Sequence, residues 1–177
     1  MDGSLVRPVE HTSFLDWLAG FADGEGCFLI HRRSGPSRTF WCGFRITLRG
    51  DDSDILRRVR AQLGVGHVYL LAARGNRRPA VCWEVRGPAG CLKLVEVFDQ
   101  HPLRAKKARD YGVWRAAVIY HARNNRGNGH KSAPEFLERM EMYRAELVTG
   151  RLYGSAPIIA GGGDAGHRAE VVATNAS

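Results

Sequence analysis

The sequence predicts an α+β domain, a curved antiparallel sheet covered on one face by helices. Three observations carry that reading. Residues 40–49 carry an apolar residue at every second position, two helix–strand–strand patterns follow one another, and clusters of Gly, Pro, Ser and Asn punctuate the patterned segments. A chain of 177 residues suffices for one domain with a real core. Its 44% hydrophobic and 25% charged residues suit a soluble globular protein, not a disordered one.

Thr12 and Ser13 can cap a first helix, in which Phe14, Trp17, Leu18 and Phe21 fall at i, i+3, i+4 and i+7. Gly24-Glu25-Gly26 should stop it, because glycine ends helices cheaply. A strand from Cys27 to Arg33 follows, then the turn Ser34-Gly35-Pro36-Ser37. In the second strand, Phe40 to Arg49, one face carries Phe40, Cys42, Phe44, Ile46 and Leu48; the other carries Trp41, Gly43, Arg45, Thr47 and Arg49. Asp51, Asp52 or Ser53 can cap a second helix with Ile55, Leu56, Val59 and Leu63 on its stripe, ended by Gly64.

A hairpin over 66–73 and 79–86 has a polar tip, Arg74 to Arg78, and its second strand puts Val81, Trp83 and Val85 on one face. Helix three starts near Pro88, carries Leu92, Val95 and Phe98, and ends before Pro102. Helix four, about 105–122, buries Tyr111, Trp114 and Val118. After a loop, Ser132 with Glu135 forms a capping box for a fifth helix, with Pro134 in its first turn and Phe136, Met140, Tyr143 and Leu147 on its stripe. The core order is αββαββαα, two αββ units in tandem. The expected organisation is an arm over 1–11, a domain over 12–150 and a flexible Gly/Ala-rich tail over 151–177.

The net charge of +8 points to a polyanionic partner. Its distribution says more. Residues 31–49 hold Arg32, Arg33, Arg38, Arg45 and Arg49 with no acid, and 64–86 hold Arg74, Arg77, Arg78 and Arg86 against Glu84 alone. The stretch 134–149 is acidic instead. Basic character gathered on two segments favours nucleic acid over a merely solvated face, and an arginine-bearing sheet face suits the DNA major groove. The four cysteines sit singly, without metal-ligand spacing, which argues against zinc and for reduced core thiols. No apolar run approaches the roughly 18 residues of a membrane helix, and the N-terminus lacks a signal-peptide core, so the expected location is cytoplasmic and nucleoid-associated, with no membrane partner.

Trp17-Leu18-Ala19-Gly20-Phe21-Ala22-Asp23-Gly24-Glu25-Gly26 resembles the motif that names the LAGLIDADG family. Leu18, Ala19, Gly20, Asp23 and Gly26 match its letters, and Gly24 and Glu25 are common variants. The resemblance continues through Phe44-Arg45-Ile46-Thr47, Leu63-Gly64-Val65-Gly66 and Pro102-Leu103-Arg104-Ala105-Lys106-Lys107, covering about residues 12–122.

The resemblance implies a homing endonuclease: a homodimer that cuts double-stranded DNA at a long pseudo-palindromic site with Mg2+, or another divalent cation such as Mn2+. It implies that Glu25 is the catalytic, metal-binding carboxylate, that the Gly24 carbonyl is a further ligand, and that Lys106 is a basic residue near the reacting phosphate, with Lys107 a weaker candidate. It implies a dimer interface on Trp17, Leu18, Ala19, Gly20, Phe21 and Asp23, with Ala19 or Gly20 at the closest approach of two motif helices. The DNA-binding residues it implies are Arg32, Arg33, Arg38, Arg45, Thr47, Arg49, Arg74, Arg77 and Arg78. The pattern departs at Leu48, where several members carry a polar, water-organising side chain. That departure bears on cleavage and leaves DNA binding untouched; the alternative is a non-cleaving DNA-binding regulator, or a maturase with intron RNA as partner.

Overall fold

Gly26–Arg32 (β1), Phe40–Arg49 (β2), His67–Leu71 (β3) and Ala80–Arg86 (β4) pair antiparallel into one sheet, in the spatial order β1-β2-β4-β3. The helices are Val9–Glu25 (α1), Ser53–Leu63 (α2), Pro88–Gln100 (α3), Lys107–Asn124 (α4) and Pro134–Thr149 (α5). Two αββ units therefore stand in tandem, as expected, and three helices follow where the string αββαββαα counts two. This computed structural model describes residues 9–33, 39–73, 75, 78–124 and 133–149. Arg38, Arg74, Arg77, the 34–37 turn, the capping residue Ser132 and the tail over 151–177 lie outside the described residues.

The alternation in β2 does what a half-buried strand requires. Phe40, Cys42, Phe44 and Ile46 are buried, while Arg45, Thr47 and Arg49 on the other face are exposed. Register places Phe28 against Phe44 and Ile46 against Trp83, so one sheet face presents a continuous apolar surface. All five helices pack on it, through Leu18 and Ala22 of α1, Leu56 and Val59 of α2, Leu94 and Phe98 of α3, Trp114 and Val118 of α4, and Phe136 and Met140 of α5. Phe28 lies at the centre, with ring centroids 5.0 Å from Phe44, 5.1 Å from Trp114 and 5.7 Å from Tyr111. Truncating such a ring costs about 3–5 kcal/mol.

Local readings hold with four corrections. The first helix begins at Val9, so Thr12 and Ser13 lie within it rather than at its cap; no proline follows Pro8 to interrupt it. Its apolar stripe divides into two. Leu15, Leu18, Ala19 and Ala22 are buried in the core, whereas Phe14, Trp17 and Phe21 form an aromatic ridge at its edge, with Phe14 and Phe21 half-buried against the core and Trp17 exposed, stacked on Phe21 at 4.9 Å. Leu92 is exposed because Cys91, Leu94, Val95 and Phe98 already fill the buried side of α3. A short 3-10 turn, Gly50–Asp52, precedes α2, and Asp52 at its cap makes no side-chain capping bond. Gly64 ends α2 in the left-handed region at φ 69°, as its residue type foretells. No described helix is long and apolar enough to cross a membrane.

Candidate functional site

Glu25 is the last residue of α1 and is exposed. The abrupt change from helix to strand depends on Gly26, where a Cβ would come within 2.5 Å of the Ala22 carbonyl and 2.8 Å of the Phe44 ring. The carboxylate is thereby fixed at the foot of the helix, next to the end of β2. It borders a cleft of about 420 Å³ shared with Phe21, Leu48, Asp51, Asp52, Asp54, Ile55 and Arg58. Leu48, the departure from the family pattern, thus stands in the cleft that holds the candidate catalytic acid.

Two contacts bind the Pro102–Lys107 segment to this helix end. Asp23 Oδ2 accepts the backbone N–H of Arg104 at 2.6 Å and that of Ala105 at 3.1 Å. Lys107, the first residue of α4, donates its ammonium to the Gly24 carbonyl at 2.5 Å. Lys107, the weaker of the two candidates by resemblance, thus reaches the motif's Gly24 oxygen, and Lys106, the favoured one, is exposed one residue earlier on the same segment. Asp23 fastens that segment to the end of α1.

Glu25 and the Gly24 oxygen are hard donors of the kind Mg2+ takes. Among the described residues no three His, Cys, Asp or Glu side chains converge on one ion position. One chain supplies a sparse set, which suits a cation that keeps several waters and bridges to phosphate.

The outward surface of α1 carries Trp17, which is 41% exposed, together with Gly20 and Gly24. A Cβ at either glycine would meet nothing within 4 Å. A second cleft of about 380 Å³ opens there, lined by Asp16, Ala19, Gly20, Asp23, Pro102 and Arg104. The expected interface is redistributed accordingly. Trp17, Gly20, Phe21 and Asp23 reach the surface, Leu18 is fully buried in this chain's own core, and Ala19 is 5% exposed at the wall of the cleft. Leu18 belongs to the fold because it shares the core stripe with Leu15 and Ala22.

On the sheet's open face the arginines divide. Arg45 is exposed with no ion-pair partner among the described residues, and Thr47 bonds the Cys82 sulfur at 3.5 Å. Arg49 is paired at 2.8 Å with Asp51, a residue that lines the Glu25 cleft. Arg33 and Arg78 are exposed beside β1 and β4. Arg32 is a correction. Its register partner is Phe40, so alternation puts it on the helix side, where it pairs with Glu141 of α5 at 3.6 Å.

The same face holds a contact chain that local sequence patterns do not reveal. His31 stacks on Trp41 at 4.5 Å, and the Arg86 guanidinium lies 4.6 Å from the Trp41 ring centroid. Arg86 pairs at 2.7 Å with Glu84, which is only 6% exposed and also accepts the Tyr69 hydroxyl at 3.1 Å. The chain crosses all four strands. Burial and the cations Arg45 and Arg86 hold the His31 pKa below its ordinary value. The only sequence signal is the alternation of Glu84 and Arg86 with a buried Val-Trp-Val face; cross-strand pairing makes it a network.

The helix-bound acid, the segment docked on it and the open sheet face define a member of the LAGLIDADG endonuclease class. The chain belongs to that family, whose model matches residues 18–118. It is 32% identical over 111 residues to the probable intron-encoded endonuclease Cox1-I1b of Schizosaccharomyces pombe, covering 60% of this chain and 27% of that protein. It spans between 16% and 27% of the length of four curated relatives, two of which are named probable intron-encoded endonucleases. Among solved structures it resembles the homing endonuclease I-TnaI, with a TM-score of 0.62 and 29% identity, over 75% of this chain and 86% of that one. It shares the fold of the LAGLIDADG homing endonuclease I-SmaMI bound to cleaved DNA, with a TM-score of 0.66 at 23% identity, over 78% of this chain and 45% of that one.

Proposed function

We propose that this chain is a homing endonuclease, a homodimer that cuts double-stranded DNA at a long pseudo-palindromic site with Mg2+ or a similar divalent cation. The observation that carries the reading is the position of Glu25, exposed at the foot of α1 between a free helix face and an arginine-bearing sheet face. Glu25 and the Gly24 carbonyl would hold the cation, which on binding acidifies water and offsets charge on the leaving oxygen. Lys107 brings a further positive charge to the same helix end. Arg45, Thr47 and Arg86 supply donors on the open face, where an arginine fork matches guanine O6 and N7.

One chain offers one such acid, and cutting two strands calls for two. An isologous dimer supplies them. Gly20 and Gly24 support that assembly: each forgoes about 1 kcal/mol of helix stability relative to alanine, and nothing in this chain's own packing requires their lack of a side chain. A second reading, a non-cleaving DNA-binding regulator or intron-RNA maturase, draws on Leu48 in the Glu25 cleft. Incubating the protein with a randomised duplex library and Mg2+, then sequencing cleaved and bound fractions separately, distinguishes the two. Cut, pseudo-palindromic duplexes are expected; recovery of bound but uncut duplexes alone would favour the second reading.

A further inference from the structure

The contact between Lys107 and Gly24 uses an oxygen that the proposed reaction also needs. The last carbonyls of a helix have no donor within the helix, and its C-terminus carries roughly half a negative charge. At the end of α1 the Glu25 carboxylate adds to that potential, one residue beyond the Gly24 carbonyl. The locus attracts a cation, and in this chain Lys107 fills it at 2.5 Å.

The placement is built in. Asp23, one residue before Gly24, accepts the N–H groups of Arg104 and Ala105, which docks the segment on α1, and Ala108 N–H closes on the Ala105 carbonyl at 3.0 Å, a local turn that carries the segment into α4. The ammonium therefore meets Gly24 from a fixed base, through a side chain long enough to swing aside. A Mg2+ ion binds oxygen at roughly 2.0–2.1 Å with near-octahedral demands. An ammonium on the same oxygen repels it at close range.

We infer that Lys107 is a place-holding cation: it occupies the Gly24 oxygen until a divalent ion arrives with DNA, then releases it and turns to a phosphate. This rests on Glu25 and Gly24 being the metal ligands. Two consequences follow. The DNA-free protein binds the ion weakly, because the ion must displace a resident charge. DNA raises ion affinity beyond its own ligands, because a phosphate gives the displaced ammonium a new partner. A lysine that merely capped the helix would stay on Gly24 whether or not an ion bound.

The test measures Mn2+ binding to the full chain without DNA, by loss of the free-ion electron paramagnetic resonance signal. Lys107→Met should tighten binding on the order of tenfold. Arg104→Met, which removes the same charge from the same segment while keeping its backbone bonds, should change it much less. Glu25→Gln in the Lys107→Met background should abolish the gain. In the unsubstituted chain without DNA, Mg2+ raised high enough to overcome that weak binding should increase reductive methylation of the Lys107 amine, read by mass spectrometry, and this needs no altered fold. No gain in Lys107→Met, including no detectable binding in either protein, overturns the inference, as does equal tightening in Arg104→Met or Lys107 methylation indifferent to Mg2+. Tight binding that ignores Glu25→Gln would instead remove Glu25 from the metal site, a separate failure.

Discussion

Asp23 and Arg104, 81 positions apart in sequence, are joined by a 2.6 Å hydrogen bond from the Arg104 backbone N–H to the Asp23 carboxylate. The same oxygen takes the Ala105 N–H, while Asp23 Oδ1 is buried with no described partner. The motif aspartate thus ties the helix end to the segment that delivers Lys107. Asp23→Ala should destabilise the protein by about 1–3 kcal/mol, because it strands donors the fold has oriented. It should also lower cleavage more than DNA affinity. Asp23→Asn keeps an acceptor and should recover much of both. Denaturant unfolding beside nicking assays checks this, and unchanged stability in Asp23→Ala would remove the tie.

Gly20→Leu should leave the isolated chain as stable as before or slightly more so, because a Cβ there meets nothing within 4 Å and leucine favours helix. It should nevertheless abolish dimerisation and cutting. Sedimentation with and without DNA, alongside thermal unfolding, reads both. A leucine variant that still dimerises would place the interface elsewhere.

On the sheet, Arg45→Ala and Arg86→Ala should each erase preference at particular base pairs, since a good bidentate contact contributes about 1–3 kcal/mol of discrimination. Glu84→Gln should broaden preference at the Arg86 position alone, because it frees a guanidinium held at 2.7 Å. Binding profiles over single-base variants of the selected site measure this. A uniform loss across all variants would demote the arginines to phosphate contacts.

His121 is buried against α5 and bonds the Phe40 carbonyl through Nε2 at 3.0 Å; burial lowers its pKa despite that bond. The unfolded chain therefore takes up this proton more readily than the folded one. Stability should fall as pH drops through about 6.5, the unfolded value, and continue falling until the depressed folded pKa is passed. His121→Gln should flatten that stretch of the stability–pH curve. A wild-type curve already flat there would contradict the assignment.

How much of this is legible in sequence depends on the range of the interaction concerned. The alternation of 40–49, the Gly64 stop and the stripe of α5 are local, so period and residue type suffice. Arg32 is misread because its nearness to Arg33 conceals that alternate strand positions face opposite sides. The α1 stripe reads as one because Trp17 and Leu18 are both apolar, and only tertiary packing tells a core face from an aromatic ridge. Lys106 and Lys107 are not ranked by residue type, and the contact of Lys107 with Gly24 depends on where α4 starts and on the Asp23 bonds that hold the segment, neither of which is local. Glu84 and Arg86 acquire their roles from Tyr69 on β3 and Trp41 on β2, through strand pairings that no local pattern contains.

The central claim is that Glu25 is the acid that cuts, and the most direct measurement compares Glu25→Gln with the unsubstituted chain on one selected duplex. Nicking is followed with Mg2+, and affinity by fluorescence anisotropy. Removing a carboxylate beside phosphates takes away a metal ligand and also relieves charge repulsion with DNA. The account predicts cleavage lost and affinity within a few-fold of the original, or tighter. A variant that still cuts at the original rate would contradict it.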